Sequence, residues 1–194
     1  MSESLLWYAT RGAGIVSLIM LTGVVCLGIL TTVRWQRPGW PRFLSAELHR
    51  SLALLTLVFL AIHIFIAVID PYTSLGVAAA LVPFSSPYKQ IWLGLGSVAL
   101  YLLAAIVVTS LLRARLGHAA WRAVHWLTYA AWPIALVHGF GTGSDSPAIW
   151  MWAVDAACLI CVLGAVAWRL LTADDAEASR AGALPMAPGQ REYR

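Results

Sequence analysis

A chain of 194 residues with 60% hydrophobic and only 11% charged side chains is no ordinary soluble domain, where about 25% of residues are charged. The formal net charge of +4 comes from arginines, with Lys89 the single lysine, and no basic patch with interleaved aromatics points to a nucleic-acid partner. The apolar runs predict an all-α integral membrane protein, a five-span transmembrane helix bundle.

The first span is predicted over residues 5–31. Gly12, Gly14, Gly23 and Gly28 within it are small residues that allow close helix contact, and Arg11 lies unusually deep for a charge. The run is too long for the apolar region of a signal peptide and lacks a basic leader, so no cleavable signal is expected. A basic loop with Arg34, Arg37 and Arg42 follows. The second span is expected over 48–69, ending at Asp70 and Pro71. The connector after it holds an apolar stretch, 75–82, too short to cross; it reads as an interfacial helix or a re-entrant segment. The third span is expected over 91–112 and the fourth over 121–138, where Gly139, Gly141 and Gly143 end it. The loop Ser144-Asp145-Ser146-Pro147 leads to the fifth span, 149–171. Residues 1–171 thus form one transmembrane domain, and the polar tail 172–194 is expected to be disordered and cytoplasmic.

Loop charge sets the expected orientation. Arg34, Arg37, Arg42 and Arg50 flank the first connector and Arg113, Arg115 and Arg122 the third, whereas the second has only Lys89 and the fourth has no basic residue. The positive-inside rule places connectors one and three in the cytoplasm, the N-terminus outside and the C-terminus inside. The expected location is a cell membrane, crossed several times. Richness in Ala, Arg and Trp with one lysine is a compositional pointer to a bacterial source.

Four of the five histidines lie on two of these spans, His49 and His63 on the second, His125 and His138 on the fourth. Their separations are 63 − 49 = 14 and 138 − 125 = 13 residues, about 20 Å along a helix. Both spans enter from the same side, so the histidines fall on two matching levels. A histidine inside a membrane helix is costly and marks function or a bond to a neighbouring helix. Four of them, paired on two levels in apolar surroundings, fit two haem b groups. His49 with His125 would ligate the inner iron, and His63 with His138 the outer. With two imidazoles on each iron no coordination position stays open, which favours electron transfer. Haem propionates need partners near the polar boundaries: Arg50 and Arg122 are placed for the inner group and Arg11 for the outer. Each imidazole should donate its other N–H to a carbonyl or side chain. One geometric point stays open. Fourteen residues bring His63 to within about 40° of His49 in projection, but thirteen leave His138 about 140° from His125. A kink at Pro133, which cannot bond the Tyr129 carbonyl, would alter that angle.

The remaining polar groups have plainer readings. His118 reads as a solvated loop residue. Asp70 and Asp155 read as outer-side acids engaged in local bonding or capping. Cys26, Cys158 and Cys161 read as small packing residues, the last two on one helix face. The ten tryptophans read mostly as an interfacial belt.

Two histidines on each of two helices, thirteen or fourteen residues apart, resemble the mark of the ferric reductase-like transmembrane family. That family includes ferric reductases, NADPH oxidases and the haem subunit of a bacterial methionine sulfoxide reductase system. The opening Trp7-Tyr8-Ala9-Thr10-Arg11-Gly12-Ala13-Gly14 is similar to the first span of bacterial members. The resemblance implies a cytochrome b core with His49, His63, His125 and His138 as axial ligands. Family oxidoreductases append a flavin- and nicotinamide-binding domain after the last span. Here the tail has no Gly-rich phosphate loop and no room for a flavin barrel, so no flavin or nicotinamide site is expected on this chain.

The expected electron donor is therefore a separate cytoplasmic flavoprotein reductase, feeding the inner and then the outer haem. The expected acceptor is extracytoplasmic: ferric chelate, oxygen or a redox protein. One rival is a quinol-oxidising anchor subunit for an extracytoplasmic reductase. Another, from a different class, is a haem-free transporter whose histidines pack or bind metal.

Overall fold

A computed structural model describes residues 2–32, 42–70, 75–143 and 148–182. Among these every regular element is helical: α1 (Ser2–Thr32), α2 (Arg42–Ile69), α3 (Gly76–Leu81), α4 (Gln90–Leu111), α5 (Arg113–Leu116), α6 (His118–His125), α7 (Thr128–Thr142) and α8 (Ile149–Gly182). Arg34 and Arg37, Pro71, the residues Ser144 to Pro147 and the tail beyond 182 lie outside the described residues.

Four helices are long and apolar enough to cross a membrane, over Leu5–Thr31, Phe43–Ile69, Gln90–Leu111 and Ile149–Thr172. Even the shortest, 22 residues, reaches about 33 Å, more than a ~30 Å hydrocarbon core. These match the first, second, third and fifth predicted spans. With no water in that core, each backbone N–H and C=O must bond within its own helix.

The stretch read as the fourth span is divided. α6 has 8 residues and α7 has 15, so neither crosses alone. The division does not fall at Pro133, which sits inside α7. It falls at Trp126 and Leu127, where the ladder tightens to i→i−3 bonds: Leu127 N–H to Val124 O at 2.9 Å, Tyr129 N–H to Trp126 O at 3.1 Å and Ala130 N–H to Leu127 O at 3.0 Å. The Pro133 ring crowds the Tyr129 carbonyl, and the tightened turn lies directly before it.

One further expectation, a short helix in the second connector, is met, and two others shift. The predicted interfacial stretch 75–82 does form a helix, α3. His118 is not in a loop but opens α6, exposed, after Gly117, whose φ of +79° suits glycine. α8 runs to Gly182, eleven residues beyond the expected end at 171.

α1 is the central helix, packed against α2, α7 and α8, while α4 packs chiefly against α7. The core is built from Leu18, Leu21, Val25 and Ile29 of α1, Trp132 of α7, and Cys158 and Val162 of α8. Trp132 Nε1–H donates to Thr22 Oγ1 at 2.9 Å, tying α7 to α1. α2 turns Leu54, Val58, Ile62, Phe65 and Ile69 outward, a stripe at helical spacing that suits lipid. On its other face His49, Thr56, His63 and Asp70 recur every seven residues, with Thr56 and Asp70 buried. α2 and α7 make at most marginal contact with each other, and the histidines look across the space between them.

Candidate functional site

The four histidines meet in two pairs. His49 and His125 have ring centroids 6.3 Å apart with planes at 66°. His63 and His138 have centroids 6.5 Å apart with planes at 78°. The azimuth problem at His138 is eased by the tight turn. A residue at 3.0 per turn advances about 20° more than one at 3.6, so the three i→i−3 bonds swing His138 back toward the side of His125. His138 also lies well inside α7, which runs to Thr142.

Each spacing fits one metal ion between two rings. Two imidazoles on opposite sides of an ion have centroids about 6.4 Å apart, from metal–nitrogen bonds of about 2 Å and ring centres about 1.2 Å behind each nitrogen. No third His, Cys, Asp or Glu joins either pair to make a metal cluster among the described residues. A bare divalent ion in a structural site takes four protein ligands. Two imidazoles suit a planar macrocycle that brings the other four donors itself, as haem does.

Three of the rings are held in the same way. His63 Nδ1 lies 2.8 Å from Thr10 O, His49 Nδ1 3.0 Å from Val24 O, and His138 Nδ1 2.8 Å from Trp92 O. A carbonyl only accepts, so Nδ1 carries the proton and Nε2 keeps its lone pair for a metal. Each ring also lies on a glycine. A Cβ at Gly14 would meet His63 at 2.9 Å, one at Gly28 would meet His49 at 3.3 Å, and one at Gly96 would meet His138 at 2.5 Å. In every case the glycine stands four residues after the accepting carbonyl (14 − 4 = 10, 28 − 4 = 24, 96 − 4 = 92). That residue lies on the same helix face, one turn along, so a side chain there would block the ring from the oxygen. Sequence reading had noted Gly14 and Gly28 only as aids to helix contact, and Gly96 not at all.

The His63–His138 pair opens onto an apolar cavity, also lined by Arg11, Trp7, Leu60 and Asp70. Arg11 thus lines the same cavity as the His63–His138 pair, its guanidinium 5.2 Å from the Trp7 ring centre. Arg50 and Arg122 are exposed, and Arg50 reaches Glu47 at 4.0 Å, a surface contact of little energy. The structure brings neither to a histidine ring. Lys89, read in the sequence only as a loop charge, closes the end of α7 with bonds from Nζ to Gly141 O at 3.2 Å and Thr142 O at 3.1 Å. It thereby satisfies carbonyls that a helix end leaves open.

Asp155 neither caps nor bonds locally among the described residues: it sits inside α8 with both carboxyl oxygens buried and unbonded. Cys158 is buried and Cys161 exposed, so they do not share an environment, and all three cysteines are free.

A family model described as ferric reductase like transmembrane component matches residues 13–136. That is 124 of 194 residues, running from α1 into α7 and taking in His49, His63 and His125. No curated protein and no solved structure matches the chain significantly.

Proposed function

Because the chain belongs to the ferric reductase-like transmembrane family, a multi-pass membrane group associated with electron transfer, we propose that it is a di-haem cytochrome b passing electrons across a bacterial cell membrane. The observation that carries this reading is the pairing of four histidines at 6.3 and 6.5 Å, with three Nδ1 groups tied to backbone carbonyls. Two haems b at two depths would supply one-electron carriers spaced across the bilayer.

The chain's own residues do the rest. His49 with His125, and His63 with His138, are the axial ligands in this reading. Arg11, which lines the cavity at the second site, would serve the propionates there, and Arg50 and Arg122 would serve those of the first. The stretch from His118 to Thr142 acts as the fifth crossing, since its 142 − 118 + 1 = 25 residues of nearly continuous hydrogen-bonded backbone reach about 37 Å. With basic loops inside, the His49–His125 pair is cytoplasmic and the His63–His138 pair external. The donor is a cytoplasmic flavoprotein. The acceptor is reached on the external side, and ferric chelate, oxygen or a redox protein would serve.

The test is purification in detergent, haem counting per chain, and oxidised and dithionite-reduced spectra. Two low-spin haems b per chain are expected. The crossed ring planes further predict strongly anisotropic low-spin electron paramagnetic resonance signals, unlike those of parallel imidazoles. A chain without haem after haem-supplemented expression would overturn the reading and favour a transporter.

A further inference from the structure

The glycine seats follow a repeat, and its fourth term is broken. Gly14 and Gly28, which seat His63 and His49, are 28 − 14 = 14 residues apart on α1. On α4 the same step from Gly96, the seat of His138, leads to 96 + 14 = 110, and residue 110 is Ser110. The carbonyl four residues before it belongs to Ile106. By analogy with the other three, that oxygen should accept from His125 Nδ1. It does not. Ser110 Oγ–H donates to Ile106 O at 2.6 Å, while the Thr109 hydroxyl is engaged chiefly with Ala105 O at 2.7 Å. Among the described residues, His125 Nδ1 is buried with no hydrogen-bond partner.

Another contact takes the place of the missing bond. Trp121 Nε1–H donates to Ser110 Oγ at 3.2 Å, and the Trp121 indole stacks on the His125 imidazole, centroids 5.0 Å apart and planes at 29°. The hydroxyl thus does two things. It donates to the carbonyl, and it anchors the indole on which the His125 imidazole rests; by analogy with the three glycine seats, a Cβ at position 110 stands in the way of a ring reaching that oxygen.

We infer that Ser110 and Trp121 are positioning residues that make His125 a different kind of ligand from the other three, held by an aromatic stack instead of a carbonyl bond, so that the two haem sites differ in potential by construction. This rests on the two-haem reading. A hydrogen bond from Nδ1 makes an imidazole the stronger donor and favours the ferric state. Without it, the iron held by His125 is more easily reduced than the same site would be with a glycine at 110.

The test is an optical redox titration of the full chain in detergent, with haem counted. His49→Ala identifies which midpoint belongs to which pair. Ser110→Gly opens the seat and frees the Ile106 carbonyl, so the midpoint of the His49–His125 haem should fall while the other stays. Ser110→Ala removes the hydroxyl but keeps the Cβ in the seat, so that midpoint should not fall. Trp121→Phe keeps the stack and should retain a low-spin haem there, whereas Trp121→Ala should lose low-spin character at that haem alone. The inference is overturned if Ser110→Gly leaves both midpoints in place, moves them together, or acts no differently from Ser110→Ala. It is equally overturned if Trp121→Ala and Trp121→Phe match the parent at both haems. A parent chain that binds no haem fails earlier and refutes the two-haem reading itself.

Discussion

The two histidine pairs are built by the same plan and finished differently. In each, a histidine-bearing helix is backed by the helix before it: α1 behind α2, α4 behind α6 and α7. At the His63–His138 pair both rings lie on glycine and both Nδ1 groups reach a carbonyl. At the His49–His125 pair only His49 does so. The cause lies in one residue type on α4 and in the short α6 that carries His125 as its last residue. A regular helix seats a ring through backbone geometry alone; where the helix is interrupted, side chains must hold the ring. The comparison teaches that the position of a histidine and its environment are set separately, the first by spacing on α2 and α6–α7, the second by the helix behind.

Removing a ligand should separate the two sites most strongly. His63→Ala and His138→Ala are each expected to lose about one haem of two and to spare the other, with His49→Ala and His125→Ala doing the converse. Haem per chain measured as the pyridine complex checks this. Loss of both haems from every variant would mean that the pairs are not independent sites.

Filling the seats comes next and should be graded. The Cβ contacts of 2.5, 2.9 and 3.3 Å order the variants Gly96→Ala, Gly14→Ala, Gly28→Ala from worst to mildest. Overpacking costs about 1–3 kcal/mol, and here the group that must give way is a histidine ring. The low-spin fraction of the affected haem is the measure, and an effect of equal size at all three would break the link between seat and ring.

A smaller change should touch both pairs equally. Trp132 lies between the ligands of its segment, 132 − 125 = 7 residues from one and 138 − 132 = 6 from the other. Trp132→Phe removes the bond to Thr22, worth about 1 kcal/mol. A modest fall in thermal stability in detergent with both haems retained is the expected outcome. The smallest effect belongs to Arg50→Ala. Its contact to Glu47 is exposed, so stability should change by less than about 0.5 kcal/mol. Retention of the His49–His125 haem then isolates any propionate role, which would show as faster haem loss from that pair alone.

Much of this was legible in the chain as text. Apolar runs of 22 to 27 residues announce membrane helices because no other local structure satisfies the backbone in lipid. The short apolar stretch in the second connector was legible for the same reason, being too brief to cross. The four histidines stood out because polar groups are scarce there. What was not legible was whatever depends on a partner distant in sequence. Gly14 serves His63, 63 − 14 = 49 residues away, and Gly96 serves His138, 138 − 96 = 42 residues away. Nothing local to either glycine names its histidine. Pro133 announced a disturbance in the fourth span, but its place two turns upstream depended on how the backbone relaxed against its neighbours.

The sequence by itself determined the solvent, the long apolar helices and the placing of the four histidines, since each follows from residue type and periodicity along one stretch of chain. Only the tertiary structure decided how those histidines are paired and held. Which carbonyl accepts from which Nδ1, and that His125 Nδ1 finds none among the described residues, are matters of which helix faces which, and packing across the bundle settles them.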